Sequence, residues 1–151
     1  MTANEIDQFM RERVGKGMAT MDRIIDHPEY SLPDWQWVIT TFADALAEDQ
    51  KRLGIYDYDP NLNNCVDYCL HARSIFNLCN RDTPNAAFHV LFGEVGYMKL
   101  QDAVQEEGHR INFTIVNING VRTLKFFEPQ QHRAEVFLID AELDSVHSYH
   151  V

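Results

Sequence analysis

An α+β domain is what the sequence predicts, with a central helix packed on an antiparallel sheet and two further helices ahead of it. Three observations carry that expectation. Apolar residues recur at three- and four-residue spacings in the first third of the chain, a turn-rich stretch leads into a cysteine-bearing amphipathic segment, and an Asn-Gly pair joins two alternating segments near the end.

A chain of 151 residues is long enough for one compact core, so the expectation is a single domain over 1–151, with a helical part over 1–54 and a site-bearing core over 61–140. Apolar residues are 45% of the chain and charged residues 24%, and no run approaches the roughly 20 apolar residues that span a bilayer. Residues 1–13 mix charges of both signs and lack the apolar region of a secretory signal. Three cysteines are odd in number and too few for a disulfide framework, so reduced thiols and a cytoplasmic setting are expected. A net charge of −10 repels phosphate backbones and acidic membrane surfaces, which argues against nucleic-acid and membrane partners.

The first helix is expected over Asn4–Ile25, where Ile6, Phe9, Met10, Val14, Met18, Met21, Ile24 and Ile25 form a stripe; Gly15 and Gly17 weaken its middle. His27-Pro28 ends it. Ser31 and Pro33 open a second helix with the stripe Trp37, Val38, Thr41, Phe42, Ala45 and Leu46, closed by Gly54. Trp35 and Trp37 are assigned to core packing rather than to a sugar platform. Residues 56–64 read as a loop, and a third helix starts near Asn63 with Cys65, Cys69, Ala72, Phe76 and Cys79 on one face, widened by Val66, Leu70 and Ile75. A turn at 82–85 precedes a buried strand over 86–95, and Tyr97–Gly108 is assigned to a short helix or an excursion.

Asn119-Gly120 is the pair preferred in a two-residue type I′ hairpin turn, and it sets a register. Ile118 then opposes Val121, Val116 opposes Thr123, Thr114 opposes Lys125, Ile111 opposes Glu128 and His109 opposes Gln130. One face carries His109, Ile111, Phe113, Ile115, Leu124, Phe126, Glu128 and Gln130. The other carries Arg110, Asn112, Thr114, Thr123 and Lys125, read as solvated, with Val116 and Phe127 interrupting it. A further strand is expected over Val136–Ile139.

This arrangement gathers chemistry at the open end of the hairpin. A thiolate is a strong nucleophile, and Cys65 at a helix start meets the positive end of the helix dipole, which favours its anion. His109 is the partner base, and Glu128, a diagonal neighbour on the same face, orients the imidazole and stabilises its protonated form. The bland readings are a buried structural Cys65, and a Glu128 paired with Lys125 or Arg133. Cys69 and Cys79 are assigned to the core. Cys65, Cys69 and His71 do not have the spacing of a zinc site. His89 is assigned to the core or surface, and His132, His147 and His150 to loops and the tail.

Asn-Cys-Val-Asp-Tyr at 64–68, Gly-His-Arg-Ile-Asn at 108–112 and Phe-Phe-Glu-Pro-Gln at 126–130 resemble the papain-like and transglutaminase-like cysteine enzymes. The closest resemblance is to the papain-like domain attached to a fungal agglutinin and to small bacterial and phage proteins. The likeness covers roughly 61–130. It implies a papain-like/transglutaminase-like fold, Cys65 as nucleophile, His109 as base and later acid, and Glu128 as orienting group. It also implies a divalent cation, calcium or manganese, beside the site, with Asp67 and Gln130 as ligands, although the thiol chemistry requires no cofactor. Arg110 departs from the small residue usual after the histidine. The oxyanion donor is unassigned, with Asn61, Asn63, Asn64 and the Cys65 N–H in range.

The expected function is acyl transfer by a cysteine hydrolase, a thiol protease or amidase, on a peptide or protein substrate. The alternative is a non-catalytic protein-binding module, phage or bacterial, on the same fold.

Overall fold

The computed structural model describes residues 1–55, 64–81, 89–101, 107–130 and 133–151. The loop at 56–63 with Asn61 and Asn63, the turn at 82–85, the first part of the strand expected over 86–95, and His132 lie outside the described residues.

Thr2 caps helix α1 (Ala3–Arg11) in a capping box with Glu5, and Ile6, Phe9 and Met10 form its buried face. The helix stops well short of Ile25. Gly15 adopts φ +70, and Gly15 and Gly17 donate their N–H groups to Leu143 and Asp144. The glycines therefore redirect the chain into a short strand, β1 (Asp22–Ile24), where a long helix was expected. Asp34 caps α2 (Trp35–Trp37), which continues through a π-helical stretch (Val38–Phe42) into α3 (Ala43–Leu53). Gly54 ends α3 with φ +71, the left-handed conformation that lets the last carbonyls find donors. Helix α4 (Cys65–Arg81) follows.

The strands are β2 (Gly93–Lys99), β3 (Glu107–Ile118), β4 (Val121–Glu128), β5 (Arg133–Val136) and, after α5 (Asp140–Asp144), β6 (Ser148–His150). They form one sheet in the order β1-β6-β2-β3-β4-β5, antiparallel except for the β1–β6 pair. The hairpin has the register set by Asn119-Gly120: Ile118 pairs with Val121, Val116 with Thr123 and Thr114 with Lys125. Both turn residues have positive φ, 53 and 84, as a type I′ turn requires.

Other expectations are corrected. Tyr97 belongs to β2, not to a helix. The strand expected over Val136–Ile139 instead ends at Val136, and Phe137 is 75% exposed. His150 lies in β6 rather than in a tail.

Both faces of the sheet are covered. On one, α1 and the C-terminal segment pack Ile6, Met10, Val146 and Tyr149 against Val95, Ile111, Phe113, Ile115 and Phe126. On the other, the helices pack Phe42, Leu46, Ala72 and Phe76 against Phe92 and Phe127. This second layer explains why the face read as solvated is not: Asn112 is 0% exposed, Thr114 1% and Phe127 2%. The Asn112 amide N–H groups and the Thr114 hydroxyl are used internally, as burial favours. Asn112 Nδ2 donates to the Cys69 carbonyl at 3.2 Å and the Gly93 carbonyl at 3.1 Å, and Thr114 Oγ1 donates to the Leu91 carbonyl at 2.5 Å. Asn112 thus ties α4 to the sheet. Conversely, Val66 and Leu70, expected to widen the apolar face of α4, are exposed.

Candidate functional site

Asn64 and Asp67 define the start of α4. Asn64 Oδ1 accepts from the N–H groups of Val66 (2.9 Å) and Asp67 (3.3 Å), and Asp67 Oδ2 accepts from the Asn64 N–H at 3.0 Å. This reciprocal cap makes Cys65 the first helical residue, where orphan N–H groups and the helix dipole favour an anion.

Cys65 is half-buried and hydrogen-bonded to the His109 side chain, and it accepts from the Arg110 backbone N–H. His109 Nε2 lies 2.7 Å from Glu128 Oε2, which leaves Nδ1 for the thiol. Glu128 Oε1 accepts the Gln130 N–H at 3.0 Å. The side chains of His109 and Glu128 are only 9% and 8% exposed, so this chain of hydrogen bonds is shielded from water. The three residues expected to act together therefore touch in the order Cys65, His109, Glu128. Lys125, one of the two partners the bland reading gave Glu128, pairs with Glu135 instead.

The electrostatics follow from these contacts. The His109 hydrogen bond, the nearby imidazole charge and the Arg110 N–H outweigh burial and hold the Cys65 thiol below the ordinary thiol range. For His109, burial pulls the other way, but the hydrogen bonds and charges of Cys65 and Glu128 raise the imidazole to about 9. Both shifts favour a thiolate–imidazolium pair, which can attack an electrophilic atom and return a proton to what it opens. Cys69, one turn on, is fully buried; burial, with the charges of Glu94, Glu128 and Cys65, pushes its thiol well up.

Sequence reasoning missed three supports. Arg110, noted as a departure from the pattern, gives its Nη1 to Glu94 Oε1 at 2.6 Å, fixing the strand segment whose N–H meets Cys65. Glu94 is 3% exposed, and nothing in its local sequence announces burial. Gln50 is buried in α3, and its Nε2 donates to the Pro129 carbonyl at 3.0 Å, holding the turn between Glu128 and Gln130. The Asn64–Asp67 cap was readable, since Asn followed three residues later by an acid is a helix-start signal.

The cation expectation rests on the resemblance alone. Asp67 is engaged in the cap, and among the described residues no group of three or more His, Cys, Asp or Glu side chains converges to hold a metal ion. Two oxygen donors fall well short of a calcium shell, so no step is routed through a cation.

Fold and site together define an α+β domain that carries a thiol hydrogen-bonded to an imidazole at the start of its central helix. Two solved structures among those it resembles are of Polyporus squamosus lectin. One, described as the PSL1a-E64 complex, is 13% identical with a TM-score of 0.71, over 100% of this chain and 51% of that one. The other is Polyporus squamosus lectin bound to the human-type influenza-binding epitope Neu5Aca2-6Galb1-4GlcNAc. It is 16% identical with a TM-score of 0.60, over 87% of this chain and 42% of that one. The chain thus spans about half the length of the lectin chains it matches, and at these identities the likeness is one of fold. No protein-family model matches the sequence, and no curated protein does.

These neighbours correct the family expectation. Both of these structures are of a lectin, and neither carries the name of a papain-like or transglutaminase-like enzyme. The papain-like/transglutaminase-like assignment, and with it the reading as a hydrolase or thiol protease, is withdrawn in favour of a fold shared with a binding protein. The physical reason is scale. Three five-residue motifs specify a cluster of side chains, whereas the fold depends on the path of the whole chain. Among the described residues no helix is long and apolar enough to cross a membrane.

Proposed function

We propose that the chain is a binding module, one domain over 1–151, whose ligand site is built on Cys65, His109 and Glu128. The observation that supports binding is the fold shared along the whole chain with a lectin. The site assignment is supported by the hydrogen-bonded thiol, imidazole and carboxylate.

In this reading Cys65 anchors the ligand, His109 balances its charge and Glu128 fixes the imidazole. A ligand with a strained electrophile would be captured covalently. With an epoxide such as E64, the ligand in one neighbour's name, Sγ forms a bond to a ring carbon, the C–O bond opens, and the alkoxide takes the His109 proton. The three free cysteines support a reducing, cytoplasmic setting. The binding partner is either the glycan of the second neighbour's name or a protein.

Two measurements test this. Intact-mass spectrometry after incubation with E64 should give one adduct per chain, located on Cys65 and absent from Cys65→Ala. Calorimetric titration with Neu5Aca2-6Galb1-4GlcNAc then tests the ligand class: saturable uptake assigns carbohydrate, and none removes this glycan. An adduct on Cys69 or Cys79, or no adduct at all, overturns the site.

A further inference from the structure

Helix α4 carries polar clusters at both ends. Its 17 residues place Arg81 about 24 Å from Cys65 at 1.5 Å per residue. From its midpoint on, Arg73 and Asn77 line a cavity of about 430 Å³ whose other walls include His27, Tyr30, His89 and Phe92. That volume lies within the range of small-molecule sites. The Cys65 cluster takes no part in it.

The cavity's chemistry departs from that of the chain as a whole. In a protein of net charge −10, guanidinium, amide and imidazole groups gather here, and among the described lining residues Asp26 is the one carboxylate side chain. Asp26 is already engaged: its Oδ2 lies 2.7 Å from His150 Nε2 and 3.9 Å from Arg73 Nη2. Arg73 Nη1 lies 3.2 Å from His150 Nδ1, and a guanidinium can only donate, so Nδ1 accepts and the ring's proton sits on Nε2, facing Asp26. This relay holds Arg73, whose side chain is 19% exposed, against the cavity wall. A mostly buried guanidinium facing a polar cavity is suited to an anion, and its planar fork matches carboxylate and phosphate oxygens two at a time.

Part of the lining is aromatic. His27 and His89 stack with ring centroids 3.6 Å apart and planes 19° from parallel, and Tyr30 meets both edge-on. Such a surface accepts a ring.

We propose that this cavity binds a small molecule bearing a carboxylate or phosphate on a flat ring, with Arg73 holding the oxyanion and the His27–His89 pair stacking on the ring. This site is independent of the thiol site.

The test is an NMR titration of the full chain with sodium benzoate, phenyl phosphate and neutral benzyl alcohol. Both anions should shift the signals of His27, His89 and Asn77 saturably, and benzyl alcohol should bind about tenfold more weakly or worse. The tighter of the two anions identifies the oxyanion. Arg73→Lys keeps the charge but loses the fork and should weaken anion binding about tenfold. Asn77→Ala, at an exposed position on α4, tests the site without disturbing the core and should weaken binding several-fold. Saturating benzoate should leave the labelling rate of Cys65 unchanged. Shifts that map elsewhere, affinity for benzyl alcohol equal to that for the anions, no response to either anion at tens of millimolar, or unaltered binding in both variants would overturn the proposal.

Discussion

Cys65 and Cys69 are the same residue type one helical turn apart, yet their surroundings give them opposite characters. Cys65 sits at the helix start, half-buried, against His109 and the Arg110 N–H, and its thiol is held low. Cys69 is fully buried among groups that supply negative charge, and its thiol is held high. The difference lies less in the helix than in what the sheet presents to each turn. The polar end of the hairpin meets the first turn, and Asn112 and the sheet interior meet the second. Helix position and opposing strand together decide whether a thiol packs or reacts.

The largest expected effect tests that contrast directly. At pH 7 iodoacetamide should label Cys65 at least about 100-fold faster than Cys69, because only the thiolate reacts and an ordinary thiol is only a few per cent ionised there. Peptide mapping by mass spectrometry reads the ratio; equal rates would erase the distinction.

His109→Ala should sharpen it. Without its partner the Cys65 thiol returns towards the ordinary range, so labelling near pH 6.5 should fall by about 10- to 100-fold and recover above pH 9. The same residue links stability to pH. The folded imidazole, at about 9, lies above its ordinary 6.5, so its stabilisation is full below about 6.5 and is lost as pH rises through about 9. Thermal unfolding at pH 6, 7.5 and 9.5 should show wild type losing its advantage over His109→Ala across that window. An advantage that grew with pH would contradict the ion pair.

Asn112→Ala probes the tie between α4 and the sheet. Removing two buried hydrogen bonds should cost about 1–3 kcal/mol in urea unfolding and slow Cys65 labelling as α4 loosens. The smallest effect is that of Cys69→Ala, which should cost about 1 kcal/mol through the small cavity it leaves, with Cys65 labelling unchanged.

Parts of this structure were legible because local chemistry specifies them. Asn119-Gly120 admits few conformations, so the hairpin register and the gathering of His109 and Glu128 followed from two residues. Asn64 before Cys65 marks a helix start in the same way. What was not legible depends on neighbours distant in sequence. Asn112 and Thr114 look like solvent-facing residues until α4 covers them, and β6 is a three-residue strand that exists only because β1 and β2 flank it. Gln50 has no local signal, because its partner, the Pro129 carbonyl, is 79 residues away. The short motifs at Cys65, His109 and Glu128 located a side-chain cluster but named a family that the fold comparison does not support.

The central claim, that this thiol site serves binding, meets its most direct test in turnover. Wild-type protein incubated with a panel of peptide p-nitroanilides and simple amides should release no more than one equivalent of product per Cys65. Release of many equivalents by wild type, abolished in Cys65→Ala, would contradict the binding-module account and make the same three residues a catalytic site.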